Sequence, residues 1–208
     1  MEKENRSTKQ RILDEALALF SVKGFGPVTV AEIADAVGIK APSLYKHYKS
    51  KHDIFEAIIA EMQRRYEKQA ASMQMDGTEA DRDGGLFMDV SEETLIAMGR
   101  EFFLYFLHDE YMCRFRRLLT IEQYSDRELA DRHTKLYADD PLSYQGAILG
   151  MLAGAGLFVP EDPGIMALHF YAPLFLLLTI CDCHPEREEE AIRMLEGHIR
   201  QFGRRYKK

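Results

Sequence analysis

TVAEIADAVGIKAPSLYKHYKSK, residues 29–51, holds two short helical patterns separated by one glycine, and the second is dense in lysine and aromatic residues. Thr29 and Glu32 stand three apart, the spacing of a capping box in which a hydroxyl and a carboxylate satisfy otherwise unpaired backbone donors. Val30, Ile33, Ala34 and Val37 then recur on one helical face. Gly38 suits the left-handed turn that ends such a helix. Ile39 lies in the turn, and Ala41-Pro42 starts a further helix of about two turns, because proline is tolerated in a first turn where its missing N–H costs nothing. Helix, glycine, helix is the outline of a helix-turn-helix. It is also the outline of a plain corner in a helical bundle, so the surface chemistry has to separate the two.

The neighbouring segments complete a small helical domain. Ser7 and Gln10 form a capping pair at the start of a helix that places Ile12, Leu13, Ala16, Leu17 and Phe20 on one face, and Lys23-Gly24 stops it. Ser50 with Asp53 caps a fourth helix carrying Ile54, Phe55, Ile58, Ile59 and Met62 at helical spacing. Charge is divided unevenly along the chain. Residues 1–51 hold nine Lys/Arg against six Asp/Glu, a net of +3, which leaves about −10 for the rest of a chain whose formal net is −7. A polyanion would be drawn to the first quarter and repelled by the remainder.

On the last helix of the motif, Lys40, Ser43, Lys46 and His47 fall on the exposed side, while Leu44 and Tyr48, four apart, turn toward the first helix. Tyr45 can both pack and reach a phosphate. In a helix-turn-helix the second helix enters the major groove of DNA and its N-terminal residues meet base edges. Thr29 at the start of one helix and Lys51 at the start of another present free backbone donors, with a hydroxyl and a cation, to phosphates on either side.

Residues 8–59 resemble the DNA-binding domain of the tetracycline-repressor (TetR/AcrR) family of bacterial transcriptional regulators. The resemblance lies in the RILDEALALF helix, the KGF turn, the TVAEIADAVG helix, the SLYKHY segment and the SKHDIF start of the next helix. It implies a homodimer with a helix-turn-helix at each end and a larger helical C-terminal domain that binds a small effector. It further implies repression relieved by that ligand, which is the ligand-responsive function read for this chain. By family position, Lys40, Pro42, Ser43, Tyr45, Lys46 and His47 would contact DNA from the recognition helix, with Thr29, Tyr48 and Lys51 near the backbone. Many members carry Ser or Thr where Lys40 stands. Lysine cannot cap a helix in that way, which frees Lys40 for DNA.

The rest of the chain also reads as all-α. The domains expected are 1–52 for DNA binding and 53–208 for effector binding and dimerisation. Residues 74–90, QMDGTEADRDGGLFMDV, read as a loop, followed by helices near 91–107, 109–123, 126–138, 141–155, 163–182 and 186–205, with Pro141, Pro160, Pro163 and Pro185 at boundaries. Residues 165–181 carry no formal charge and approach membrane-spanning length, but Pro173 and His169 interrupt them and acidic clusters flank them. A buried or interface helix is the reading taken, with no membrane partner.

That helix and the last one suggest a four-helix dimer interface through Leu168, Phe175, Leu178, Ile192, Leu195, Ile199 and Phe202, unless they only close the core of one subunit. Candidates for an apolar or aromatic effector are Met98, Phe102, Phe103, Phe106, Phe115, Leu118, Tyr137, Met151, Phe170 and Phe175, with Tyr144, Gln145, His133 and His169 as polar anchors. Each could equally be core. Cys181, Cys183 and His184 lack a second ligand pair at zinc spacing, so no metal is expected. No HExxH, phosphate loop or nucleophile-base spacing points to an enzyme or a cofactor. The competing reading is an all-α small-molecule-binding protein or enzyme whose N-terminal helices are only structural. With 46% hydrophobic and 29% charged residues the chain is globular rather than disordered. Three cysteines and the absence of an apolar leader in MEKENRSTKQ point to the cytoplasm.

Overall fold

The computed structural model describes residues 7–208. Expectations that fall on residues 1–6, including the charges of Lys3 and Arg6, lie outside the described residues. Eleven α-helices are described: α1 (Thr8–Lys23), α2 (Val30–Val37), α3 (Ala41–Leu44), α4 (Lys51–Ser72), α5 (Ala80–Met88), α6 (Glu92–His108), α7 (Glu110–Glu122), α8 (Arg127–Thr134), α9 (Asp140–Gly154), α10 (Pro163–Cys183) and α11 (Glu188–Tyr206). A π-helical turn, Lys135–Asp139, joins α8 to α9. Among the described residues there is no strand; Phe158 and Lys207 form an isolated bridge.

The helices divide into two compact units. The first takes the chain up to Arg65 together with Glu110–His133. Its core is made by the apolar faces read from the sequence: Ile12, Leu17, Phe20, Ile33, Val37, Leu44, Ile54, Phe55 and Ile58 are buried with Phe115, Leu118 and Leu119 of α7. The compact unit is therefore larger than residues 1–52, because α1 packs on α7 as well as on α2. Tyr111 of α7 donates its hydroxyl to the carbonyl of Ile58 in α4 at 3.2 Å.

The second unit comprises Tyr66–Asp109 and Thr134–Lys208. Within it α10 packs against α9, α11 and α6, α11 also lies on α6, and α5 lies on α9. Residues 80–88, expected in a loop, are helix α5. Gly84 and Gly85 weaken the helical signal by about 1 kcal/mol each, but packing compensates: α5 lies on α9, with Gly84 directly under the end of the Met151 side chain. The buried Asp83 carboxylate fixes the preceding turn. It accepts from the backbone N–H of Asp76 at 2.7 Å and of Gly77 at 2.8 Å, and from the Tyr144 hydroxyl at 2.5 Å.

Candidate nucleic-acid interface

The motif is assembled by its caps. Thr29 Oγ1 accepts from the N–H of Glu32 at 3.2 Å, and Glu32 accepts from the Thr29 N–H at 2.8 Å, closing the capping box of α2. Lys23 binds Glu32 at 2.9 Å, and this bond, with those from Thr29, holds the Glu32 carboxyl down to about 2. Gly38 ends α2 with φ 77° and ψ 32°, the left-handed conformation expected of it. Arg11 of α1 donates to the carbonyl of Val37, a tie across the motif that no spacing rule indicated.

Helix α3 is shorter than the two turns expected. Only Ala41–Leu44 is α-helical, and the chain continues to Tyr48 in tighter bonds such as His47 N–H to Leu44 O at 2.8 Å. Lys40 stands at its N-cap without a side-chain cap bond, as its chemistry requires. Leu44 and Tyr48 are buried, which turns Lys40, Pro42, Tyr45, Lys46, His47 and Lys49 to the surface, with Ser43 half-buried. Tyr45 is 52% exposed. Among the described residues no ion pair or hydrogen bond engages the side chains of Lys40, Lys46, His47 or Lys49, the Lys49 backbone N–H donating to Asp53 Oδ2 at 3.0 Å.

Two residues expected near the phosphates are placed otherwise. Tyr48 is 6% exposed; its hydroxyl is enclosed without a hydrogen-bond partner, and burial pushes its pKa up to about 12. It packs toward α1, where the Lys9 ammonium lies 5.5 Å from its ring centre. Lys51 bonds inward: its Nζ donates to the carbonyls of Phe25, Gly26 and Val28 at 2.7, 2.9 and 2.9 Å. An ammonium has three protons, so all three are engaged within the chain. Burial lowers the Lys51 pKa, opposed by the carboxylates of Glu122 and Glu32. Ser50 and Asp53 cap α4 as expected, the Asp53 N–H donating to Ser50 Oγ at 3.0 Å.

The effector candidates separate into several groups. Phe115 is fully buried in the core of the first unit, and His133 is half-buried in the same unit, its pKa lowered by burial. The others belong to the second unit. Phe102 and Phe106 stack at 6.3 Å with Tyr66 beside both. Tyr137 stacks on Phe175 at 5.8 Å, which places Phe175 against a neighbouring side chain. Phe170 meets Phe202 edge-on at 5.0 Å, and Met151 and Tyr144 pack in the same cluster. His169 Nδ1 lies 2.5 Å from the Tyr206 hydroxyl. Met98 is half-buried on α6. Gln145 shares the inner face of α9 with Ile148, Leu149 and Leu152, and its side-chain oxygen is enclosed with no donor.

The dimer residues need correction. Leu195, Ile199 and Phe202 are buried within their own unit, and Leu178 and Ile192 pack against the same core. Helix α11 has one apolar stripe and turns it inward. Helix α10, apolar on all sides, leaves Ile165 (51%), Leu168 (45%) and Leu176 (58%) exposed, with Met194 of α11 also exposed. By length and composition α10 is capable of crossing a membrane, though Met166, Ala167, Leu177 and Cys181 are buried. His52, Glu56 and Glu128 bring potential metal ligands within 4.8 Å of one another. Arg132 already binds Glu56 at 2.6 Å and Glu128 at 3.1 Å, which makes this group an ion-pair network between α4 and α8.

Comparison with known proteins bears on the N-terminal part most strongly. Residues 12–58 match the family described as bacterial regulatory proteins, tetR family. The chain is 44% identical over 55 residues to the HTH-type transcriptional regulator AcrR of Shigella flexneri, a match covering 26% of each chain. It is 48% identical over 48 residues to IcaR of Staphylococcus aureus (strain Newman), the negative transcriptional regulator of the biofilm operon icaADBC, covering 23% of this chain and 26% of that one. The chain thus spans about a quarter of the length of these curated relatives. Its whole fold is similar to a TetR-family regulator from Mesorhizobium loti MAFF303099, with TM-score 0.70 and 19% identity over 97% of both chains. It is also similar to SmeT in complex with triclosan, with TM-score 0.69 and 22% identity over 98% of this chain and 93% of that one. At those identities the likeness is one of fold.

Proposed function

We propose that this chain, whose residues 12–58 are a tetR-family domain, is a cytoplasmic transcriptional repressor that binds a palindromic operator as a homodimer and releases it on binding a small apolar or aromatic effector. The observation that carries the reading is the surface of α3. A turn with a left-handed glycine delivers Lys40, Tyr45, Lys46 and His47 to solvent, their side chains without hydrogen-bond or ion-pair partners among the described residues. Their charge runs against the net acidity of the protein. Base edges in the major groove would be met by Tyr45, Lys46 and His47, with Pro42 and Ser43 alongside and Lys40 on phosphate. Thr29 brings the N-terminal dipole of α2 to the backbone.

Pairing through the exposed Ile165, Leu168 and Leu176 of α10 supplies the two-fold axis that two half-sites demand. Burial of Met166, Ala167, Leu177 and Cys181 along α10 supports an interface role over a membrane span. For the effector, the stacked Phe102 and Phe106 with Tyr66 beside them suit an aromatic molecule. The triclosan complex of SmeT, similar in fold, is in keeping with such a ligand.

Mobility shift on a duplex selected by the wild-type protein tests the site. Tyr45→Ala and His47→Ala should each lose about 1–3 kcal/mol of specific binding, tenfold or more in affinity, while circular dichroism and dimer mass stay unchanged. Unaltered affinity in both variants would refute the assignment.

A further inference from the structure

The loop between α1 and α2 is held by two charged side chains that the DNA-contact reading does not use. Gly24 opens it with φ +84°, and a Cβ there would lie 2.5 Å from Glu122 Oε1. The Phe25 N–H donates to that same Glu122 oxygen at 2.5 Å. Glu122 is a buried residue whose other oxygen accepts from Ser125 Oγ at 3.0 Å. On the opposite side of the peptide Lys51 Nζ takes the carbonyls of Phe25, Gly26 and Val28 and stands 4.4 Å from the Phe25 ring centre. The ring itself packs against Phe20 and Phe55 at 5.2 and 5.3 Å. Both backbone polar groups of Phe25 therefore end on side chains. One belongs to the last residue of α7 and the other to the first residue of α4. The loop they hold leads directly into Thr29.

We propose that Lys51 and Glu122 are positioning residues that clamp the Phe25–Val28 loop and thereby set where the Thr29 end of α2 meets the DNA backbone, neither of them touching DNA. This rests on the DNA-binding reading above.

The clamp and a simple charge effect predict opposite signs. Removing a carboxylate from a DNA-binding unit should tighten binding by charge alone, whereas removing the partner of the half-buried Phe25 N–H lets the loop shift and weakens it. Binding to the wild-type-selected duplex should be measured against salt for Glu122→Ala, Glu122→Gln, Lys51→Ala and Lys51→Met, with thermal unfolding as the check on folding. Glu122→Ala should bind about tenfold more weakly. Glu122→Gln keeps an oxygen acceptor and should stay within about twofold of wild type. Both lysine variants should bind more weakly while the slope of log K against log salt is unchanged. A lysine on phosphate would instead lower that slope by about one. A slope lowered by one, or equal shifts for the alanine and glutamine variants, overturns the clamp. Should Glu122→Ala fail to fold, the lysine slopes still separate a clamp from a phosphate contact. A wild-type protein that enriches no duplex overturns the regulator reading, and the clamp's role with it.

Discussion

Tyr48 and Lys51 differ from Tyr45 and Lys46 in exposure, not in type. All four lie in one basic, aromatic stretch, and residue identity alone left each of them able to reach a phosphate. Helical spacing did single out Tyr48 as a partner of Leu44, and that is the role its burial supports. Nothing in the spacing revealed that Lys51 would meet three carbonyls from a loop more than twenty residues earlier, because such a bond depends on tertiary placement. The enclosed Tyr48 hydroxyl gives a direct test. A buried hydroxyl without a partner costs free energy that a phenyl ring does not. Tyr48→Phe should therefore raise unfolding stability by about 1 kcal/mol in a denaturant titration and leave operator affinity unchanged. A loss of affinity in a folded Tyr48→Phe protein would return the hydroxyl to the DNA backbone.

At the scale of helices, boundaries were legible at caps and prolines such as Thr29, Gly38, Ser50 and Pro163, but not at Pro141, where the chain runs on helically from α8 through the π turn into α9. Helix α5 was not legible either, since its glycines weaken the local signal and its stability comes from α9. The faces of α10 and α11 show a second limit. Periodicity identifies an apolar stripe but not which neighbour covers it, and α11 turns Leu195 and Ile199 into its own unit. Leu176→Asp, on the exposed stripe of α10, should convert the dimer to monomers in sedimentation while the helical signal persists. Ile199→Ala should cost about 2–4 kcal/mol of stability and leave the oligomeric state as it is. The reverse pattern would move the interface back to α11.

Over the whole chain, net acidity and the proposed DNA binding are compatible because charge is unevenly distributed. The excess of positive charge sits in the segment that forms α1 to α3 and the start of α4, and the rest repels a polyanion. Sequence alone showed the all-α class, and it marked which side chains of α3 face solvent, since both rest on local pattern. It did not show that α7 and α8 belong to the same compact unit as α1 to α3, because no local signal pairs segments nearly a hundred residues apart. The effector groups, scattered over several helices, were visible as residue types but not as sets. The most direct measurement of the central claim is sequencing of random duplex DNA retained by the purified full chain. The account predicts an enriched inverted repeat, its half-sites one helical turn or a multiple apart. Recovery without enrichment, or of a single unrepeated half-site, would contradict a dimeric operator-binding regulator.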